Sequence, residues 1–105
     1  MLYEVVFAPE ANDQLENLFL YITDKDSVPT AERYTNAIIS TCEDLALFPH
    51  RGVPRNDIRP GLRVTHHKGR AIIAYSIDEA LHRVTILGMY YGGQDYEHRI
   101  GAADR

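Results

Sequence analysis

The chain has 105 residues, 45% hydrophobic and 25% charged, with a formal net charge of −4, which is typical of one globular domain over residues 1–105. Its one cysteine, Cys42, excludes an internal disulfide. No apolar run approaches 18 residues and the N-terminus has no basic region before an apolar core, so we expect neither a membrane span nor a signal peptide. A cytoplasmic protein is therefore expected.

Charge is strongly segregated along the chain. Residues 51–70, here called the basic segment, hold six bases and one acid, whereas residues 1–50 hold nine acids and two bases. Such asymmetry indicates a charged partner surface without identifying the partner.

The first half of the chain predicts a strand and two helices. Tyr3, Val5 and Phe7 alternate as in a short strand. A helix is predicted from Pro9 to about Thr23, because one stripe of apolar residues recurs at helical spacing: Ala11, Leu15, Leu18, Phe19 and Ile22.

A second helix is predicted from Val28 to about Phe48, with Ser27 as its N-cap. Its apolar stripe comprises Ala31, Tyr34, Ile38, Cys42, Leu45 and Phe48. A linker of about four residues makes the two helices an antiparallel hairpin. Because Cys42 lies on the stripe, we interpret it as a core residue.

Three strands follow the loop that Pro49 opens: Leu62–His66, Ala71–Ile77 and Arg83–Tyr91. Short turns between them predict antiparallel pairing. The order β-α-α-β-β-β predicts an α+β fold in which a two-helix hairpin packs on one face of a small antiparallel sheet.

Both faces of the last two strands are apolar. The first strand alternates Ala71, Ile73, Tyr75 and Ile77 with Ile72, Ala74 and Ser76; in the second, Val84, Ile86, Gly88 and Tyr90 are predicted to share a face. Two helices cover only one face, so the other is a candidate partner surface. The alternative is that the tail from Gln94 to Arg105 folds over it; from about residue 98 the tail is expected to be disordered.

Metal, cofactor and nucleophile sites are not predicted. His66 and His67 are adjacent and point to opposite faces of a strand, and the other histidines and Cys42 have no metal-ligand spacing. No glycine-rich phosphate loop precedes a helix. The arginines of the basic segment fit either a solvated loop or a surface that recognises phosphate or carboxylate.

Several stretches together resemble the RelE/ParE toxin superfamily on its ParE side: FAPEANDQLENLFLYI, the joined FPHRG and RPGLR, AIIAYSID, and ILGMYYGGQDYE. The resemblance covers Tyr3 to about Glu97. It departs from the ParE pattern at Ala8, where a serine usually caps the first helix.

The resemblance implies a toxin of a type II toxin–antitoxin system, neutralised by a ParD-like antitoxin, that inhibits DNA gyrase without being an enzyme. Neither a cofactor nor direct sequence-specific nucleic-acid binding is expected. The target-binding candidates are Arg59, Arg63, Arg70, Tyr90 and Tyr91. The antitoxin-binding candidates are Ile72, Ala74, Val84, Ile86 and Tyr90.

The alternative is a RelE-like ribosome-dependent mRNA endonuclease, which uses basic side chains with Tyr or His along the sheet. Ile72, Ile73 and Ala74 stand ahead of Tyr75, where that branch has an arginine. An inactive relative that only binds the antitoxin is a third interpretation.

Overall fold

The computed structural model describes residues 2–68 and 71–91. Two helices pack against a five-stranded sheet, which confirms the α+β fold. The elements in chain order are β1 (Glu4–Phe7), α1 (Pro9–Lys25), α2 (Val28–Glu43), a 3₁₀ turn (Asp44–Ala46), β2 (Val53–Pro54), β3 (Leu62–His67), β4 (Ala71–Asp78) and β5 (Arg83–Tyr91).

The sheet is mixed, which corrects the expectation of a purely antiparallel one. Its strand order is β1-β5-β4-β3-β2, and β1 runs parallel to β5 while every other pair is antiparallel. Short turns fix the direction of consecutive strands only, and β1 is joined to the rest by the helix hairpin. The two-residue β2 at the opposite edge was not predicted.

The helices begin where the sequence predicts. Ala8 makes no side-chain cap for α1, whereas the Ser27 hydroxyl accepts a hydrogen bond from the Thr30 amide at 3.3 Å and caps α2. The second helix ends at Glu43, and Phe48 is 57% exposed, so its predicted place on the buried stripe is wrong. The tighter 3₁₀ turn after Glu43 changes the residue spacing and rotates Phe48 off the stripe.

The main core lies between the helices and the sheet. Its fully buried members are Ala11, Ile38, Cys42, Leu45, Ile73, Tyr75, Val84, Ile86 and Met89. Burial raises the pKa of the Cys42 thiol to about 12, so the thiolate is disfavoured near neutral pH. Cys42 is a structural residue, as its position on the stripe predicts.

A β-bulge in β5 alters the faces predicted for that strand. Ala74 lies opposite Gly88 and Tyr75 opposite Ile86, so Leu87 has no residue across from it on β4. The extra residue shifts the alternation of side chains between the two faces by one position, so Met89 lies with Ile86 on the face that the helices cover. The prediction that Gly88 and Tyr90 continue the face of Ile86 is therefore wrong.

A second, smaller cluster occupies the sheet face turned away from the helices. Leu62, Val64, Ala74 and Tyr90 are at most 5% exposed, and Ile58, Ile72 and Leu87 pack against them. The expected open apolar face is thus wrong for Ala74 and Tyr90. The large exposed apolar side chains lie elsewhere, including Leu20, Tyr21, Val28, Leu47 and Phe48.

Candidate functional site

The loop of residues 49–61, which carries β2 and half of the basic segment, is anchored by a buried tyrosine. The Tyr75 hydroxyl donates to the Pro49 carbonyl at 2.8 Å and accepts from the Gly52 amide at 2.9 Å. A Cβ on Gly52 would lie 2.7 Å from both the Tyr75 hydroxyl and the Val64 carbonyl oxygen. Only glycine allows the loop to come this close to the sheet.

Arg63 provides the second anchor of the same loop. Its guanidinium donates to the carbonyls of His50 at 2.8 Å and Gly52 at 2.5 Å. Its Nε is buried without a hydrogen-bond partner. Two carbonyls of one loop are therefore held by one cation, which fixes the loop relative to β3. Arg63, one of the predicted target-binding residues, therefore has its guanidinium bound by the loop itself.

The far end of the loop is closed by local side-chain contacts. Arg55 forms a two-point ion pair with Asp57, at 3.0 and 2.8 Å. Hydrogen bonding to Arg55 lowers the pKa of the Asp57 carboxyl. The Asn56 side-chain oxygen accepts from the amide of Gly61, whose φ of +79° favours glycine. Arg59 is half-buried and also interacts within the chain.

Arg51 differs from the other arginines of the loop. Its side chain is exposed, and its guanidinium lies 5.4 Å from the centre of the Phe48 ring. This distance fits a cation–π contact. Arg51 is therefore more accessible to a partner than Arg55, which is paired with Asp57, or Arg63, which binds two loop carbonyls.

The antitoxin-binding candidates separate onto two faces. Ile72, Ala74 and Tyr90 belong to the cluster turned away from the helices. Val84 and Ile86 are fully buried beneath the helices, so the grouping of all five on one partner surface is corrected. The cause is the sheet register, since the side chains of a strand alternate between its faces.

The remaining target-binding candidates also diverge. Tyr90 is 3% exposed on the outer face, whereas Tyr91 packs against the main core, where burial raises the pKa of its hydroxyl. Arg70 lies outside the described residues, as do the YGGQD ending beyond Tyr91 and the tail. Of the four candidates that the structure describes, Arg59 and Arg63 thus lie at the same loop, whereas Tyr90 and Tyr91 lie on opposite faces of the sheet.

Glu79 was not singled out from the sequence, yet it joins three parts of the chain. One of its carboxylate oxygens accepts a hydrogen bond from the Tyr3 hydroxyl at 2.9 Å, and the other lies 3.0 Å from His50 Nε2. This hydrogen bond to Glu79 raises the pKa of the Tyr3 phenol. No periodicity connects residues 3, 50 and 79, so only the tertiary structure could reveal this junction.

A buried histidine lies at the other end of the sheet. The ring of His67 is 6% exposed, its Nδ1 is 2.7 Å from the Thr41 hydroxyl, and Tyr34 lies edge-on to it. Burial, with a smaller effect of Lys68, lowers the His67 pKa. His66 is exposed on the opposite face, as the adjacency predicts. Over residues 2–68 and 71–91, no three potential metal ligands cluster, and no helix is long and apolar enough to cross a membrane.

The chain matches a family model described as the ParE toxin of the type II toxin–antitoxin system parDE, over residues 5–96. Two solved structures share its fold. One is the RelBE2 toxin–antitoxin complex of Mycobacterium tuberculosis, at 23% identity and a TM-score of 0.69, covering 88% of this chain and 100% of that one. The other is the chromosomal ParDE system of P. aeruginosa, at 13% identity and a TM-score of 0.73, covering 86% and 96%. No curated protein matches the chain.

Proposed function

Because this chain belongs to the ParE toxin family of type II toxin–antitoxin systems, we propose that it inhibits DNA gyrase and has no catalytic activity of its own. The target follows from the ParE-like resemblance of its motifs, since ParE-like toxins trap the cleavage complex of gyrase with DNA. We place this action in the cytoplasm, where its target acts.

The proposal of a non-catalytic toxin rests on one observation, the chemistry of the sheet face turned away from the helices (the outer sheet face). There β4 contributes Ile72, Ala74 and Ser76, none of which is cationic or ionises near neutral pH. Tyr75, next along the strand, is fully buried and its hydroxyl is occupied by the loop. RNA cleavage needs proton donors and acceptors beside a stabilising cation, and β4, whose one ionisable residue besides Tyr75 is Asp78 at its end, provides no cation.

The proposed antitoxin is ParD-like and covers the helix hairpin. Leu20, Tyr21 and Val28 are 58, 62 and 45% exposed on that hairpin, which supports an apolar contact there. Of the earlier antitoxin-binding candidates, Ile72 is half-buried on the sheet face turned away from the helices, so the antitoxin would need a second segment to contact it. A stable complex of this kind buries on the order of 2,000 Å² or more.

For the target contact, we propose Arg59 and Arg70 as the residues that touch gyrase. Arg63 then positions the loop, because its guanidinium binds the carbonyls of His50 and Gly52. Tyr90 and Tyr91 shape the end of β5 in this proposal, since Tyr90 is buried and Tyr91 packs on the core.

The test measures supercoiling by purified gyrase and the integrity of mRNA on translating ribosomes, with the same toxin preparation in both. We expect supercoiling to be inhibited while transcripts stay intact. Arg59→Glu should weaken the inhibition at least about 10-fold, which corresponds to about 1.4 kcal/mol. Arg33→Glu is the matched control, because Arg33 is exposed on α2 and far from the loop in sequence.

Cleaved transcripts together with unaffected supercoiling would overturn the gyrase proposal and favour the RelE-like endonuclease. Such an enzyme would use His66, which is exposed on β3. His66 lies opposite Ile72 on β4, and Ile72 lies opposite Tyr90 on β5. His66→Ala would then abolish cleavage.

A further inference from the structure

The corner where the N-terminus meets the end of α2 exposes three large apolar side chains. Leu2, Leu47 and Phe48, here called the apolar corner, are 63, 64 and 57% exposed. The Tyr3 amide donates to the Ala46 carbonyl at 2.9 Å, so the backbone next to Leu2 meets the backbone next to Leu47. An open hollow of about 490 Å³ is lined by residues 47–51. Contiguous exposed apolar surface of this kind marks an interaction site.

Opposite charges flank the apolar corner along the chain. The amides of Leu47 and Phe48 donate to the Asp44 carbonyl, and the Arg51 amide donates to the Phe48 carbonyl. These two tight turns put Asp44 one turn before Phe48 and Arg51 one turn after it. Both charged side chains are exposed, and in the described part of the chain neither forms an ion pair. The surface therefore runs from acidic through apolar to basic.

We propose that the apolar corner docks against the same corner of a second copy of this chain. In a two-fold symmetric contact each copy presents the same patch, so residue i meets residue j and j meets i. With the axis near Phe48, the apolar side chains face each other and Asp44 of each copy lies opposite Arg51 of the other. A segment of uniform charge from another protein would match only one end of the surface. A second copy matches both.

The expected association is weak, because the apolar corner is small. Contacts burying less than about 1,200 Å² are at the low end of interface sizes and are transient. We therefore expect a monomer–dimer equilibrium that becomes visible above about 10 µM. The Arg51 guanidinium over the Phe48 ring orders both side chains before contact, which reduces the entropy lost on docking.

Charge-swap variants of the purified full chain, followed by sedimentation velocity, test the proposal. Asp44→Arg and Arg51→Asp should each raise the dimer dissociation constant at least about 10-fold, since each places like charges in contact twice. An equimolar mixture of the two variants should dimerise again, because both contacts of that heterodimer then join opposite charges. The double variant should likewise regain the wild-type dimer. Glu16→Arg, an equal charge change on the exposed face of α1, should leave the equilibrium unchanged.

A mixture that remains monomeric overturns the proposal, as does a wild-type chain that is monomeric at 200 µM, on the order of 20 times the expected threshold. If Phe48→Asp instead abolishes antitoxin binding to a monomeric toxin, the corner belongs to the antitoxin and the proposal is also overturned. Circular dichroism of each variant verifies folding. Because none of these measurements involves gyrase, they test the dimer proposal separately from the proposed function.

Discussion

The hydroxyl of Tyr75 lies 2.9 Å from the amide nitrogen of Gly52, and this contact joins the central strand β4 to the loop after α2. The same hydroxyl donates to the Pro49 carbonyl, so a single oxygen satisfies two backbone groups of the loop. Tyr75 therefore belongs to the buried core and also anchors the loop that carries the first half of the basic segment.

Removing this hydroxyl tests how much of the loop depends on it. Tyr75→Phe keeps the ring but leaves the Gly52 amide and the Pro49 carbonyl without their partner, and such losses cost about 1–3 kcal/mol. We expect the free energy of unfolding in urea to fall by that amount. Hydrogen exchange at Gly52 should also accelerate. Tyr3→Phe is the control, since its exposed bond to Glu79 should contribute much less.

Arg63 is expected to matter for stability before it matters for activity. Arg63→Gln removes a cation bound to two loop carbonyls, and hydrogen bonds to charged groups contribute about 1.5–3 kcal/mol each at most. The melting temperature should fall by several degrees, whereas that of Arg51→Gln, a change at an exposed arginine of the same loop, should change little. Equal melting temperatures for the two variants would contradict the structural role of Arg63.

Gln14 is expected to stabilise the bulge in β5. Its side-chain oxygen accepts a hydrogen bond of 2.7 Å from the Met89 amide. Gln14→Ala should lower the free energy of unfolding by about 1–3 kcal/mol, because the amide loses its acceptor in a part-buried position. Asn17→Ala, on the exposed face of the same helix, should change it by no more than about 0.5 kcal/mol. A difference within error between the two variants would show that water replaces the glutamine.

Stability should decrease below neutral pH because of His67. Burial lowers its pKa in the folded state below the ordinary value of 6.5, so protonation favours the unfolded chain. The stability that the folded state gains from a neutral His67 is fully present above pH 6.5. It is lost progressively as the pH falls from there towards the folded-state pKa of His67. Urea unfolding at pH 7.5 and 5.5 measures it. His67→Gln should reduce this pH dependence, while His66→Gln, an exposed neighbour, should not.

The sequence by itself determined the two helices, the three C-terminal strands and the family. Those features depend on local information: apolar residues at helical spacing, Ser27 before the second helix, and turns short enough to force antiparallel pairing. Arg83–Tyr91 was predicted with the bounds that the structure gives. The motifs FPHRG and RPGLR, with AIIAYSID, were sufficient to indicate the family.

The tertiary structure decided what depends on contacts between distant residues. The direction of β1 is set by pairing with β5, across the whole helix hairpin. The bulge at Leu87 moves Met89 onto the core face. One extra residue exchanges the two faces of a strand beyond it, and the alternation of residues in the sequence does not reveal where such a residue is inserted. The charges of the basic segment were countable from the sequence. Whether each arginine binds its own loop, as Arg63 does, or faces solvent, as Arg51 does, depends on which carbonyls the folded chain brings within reach.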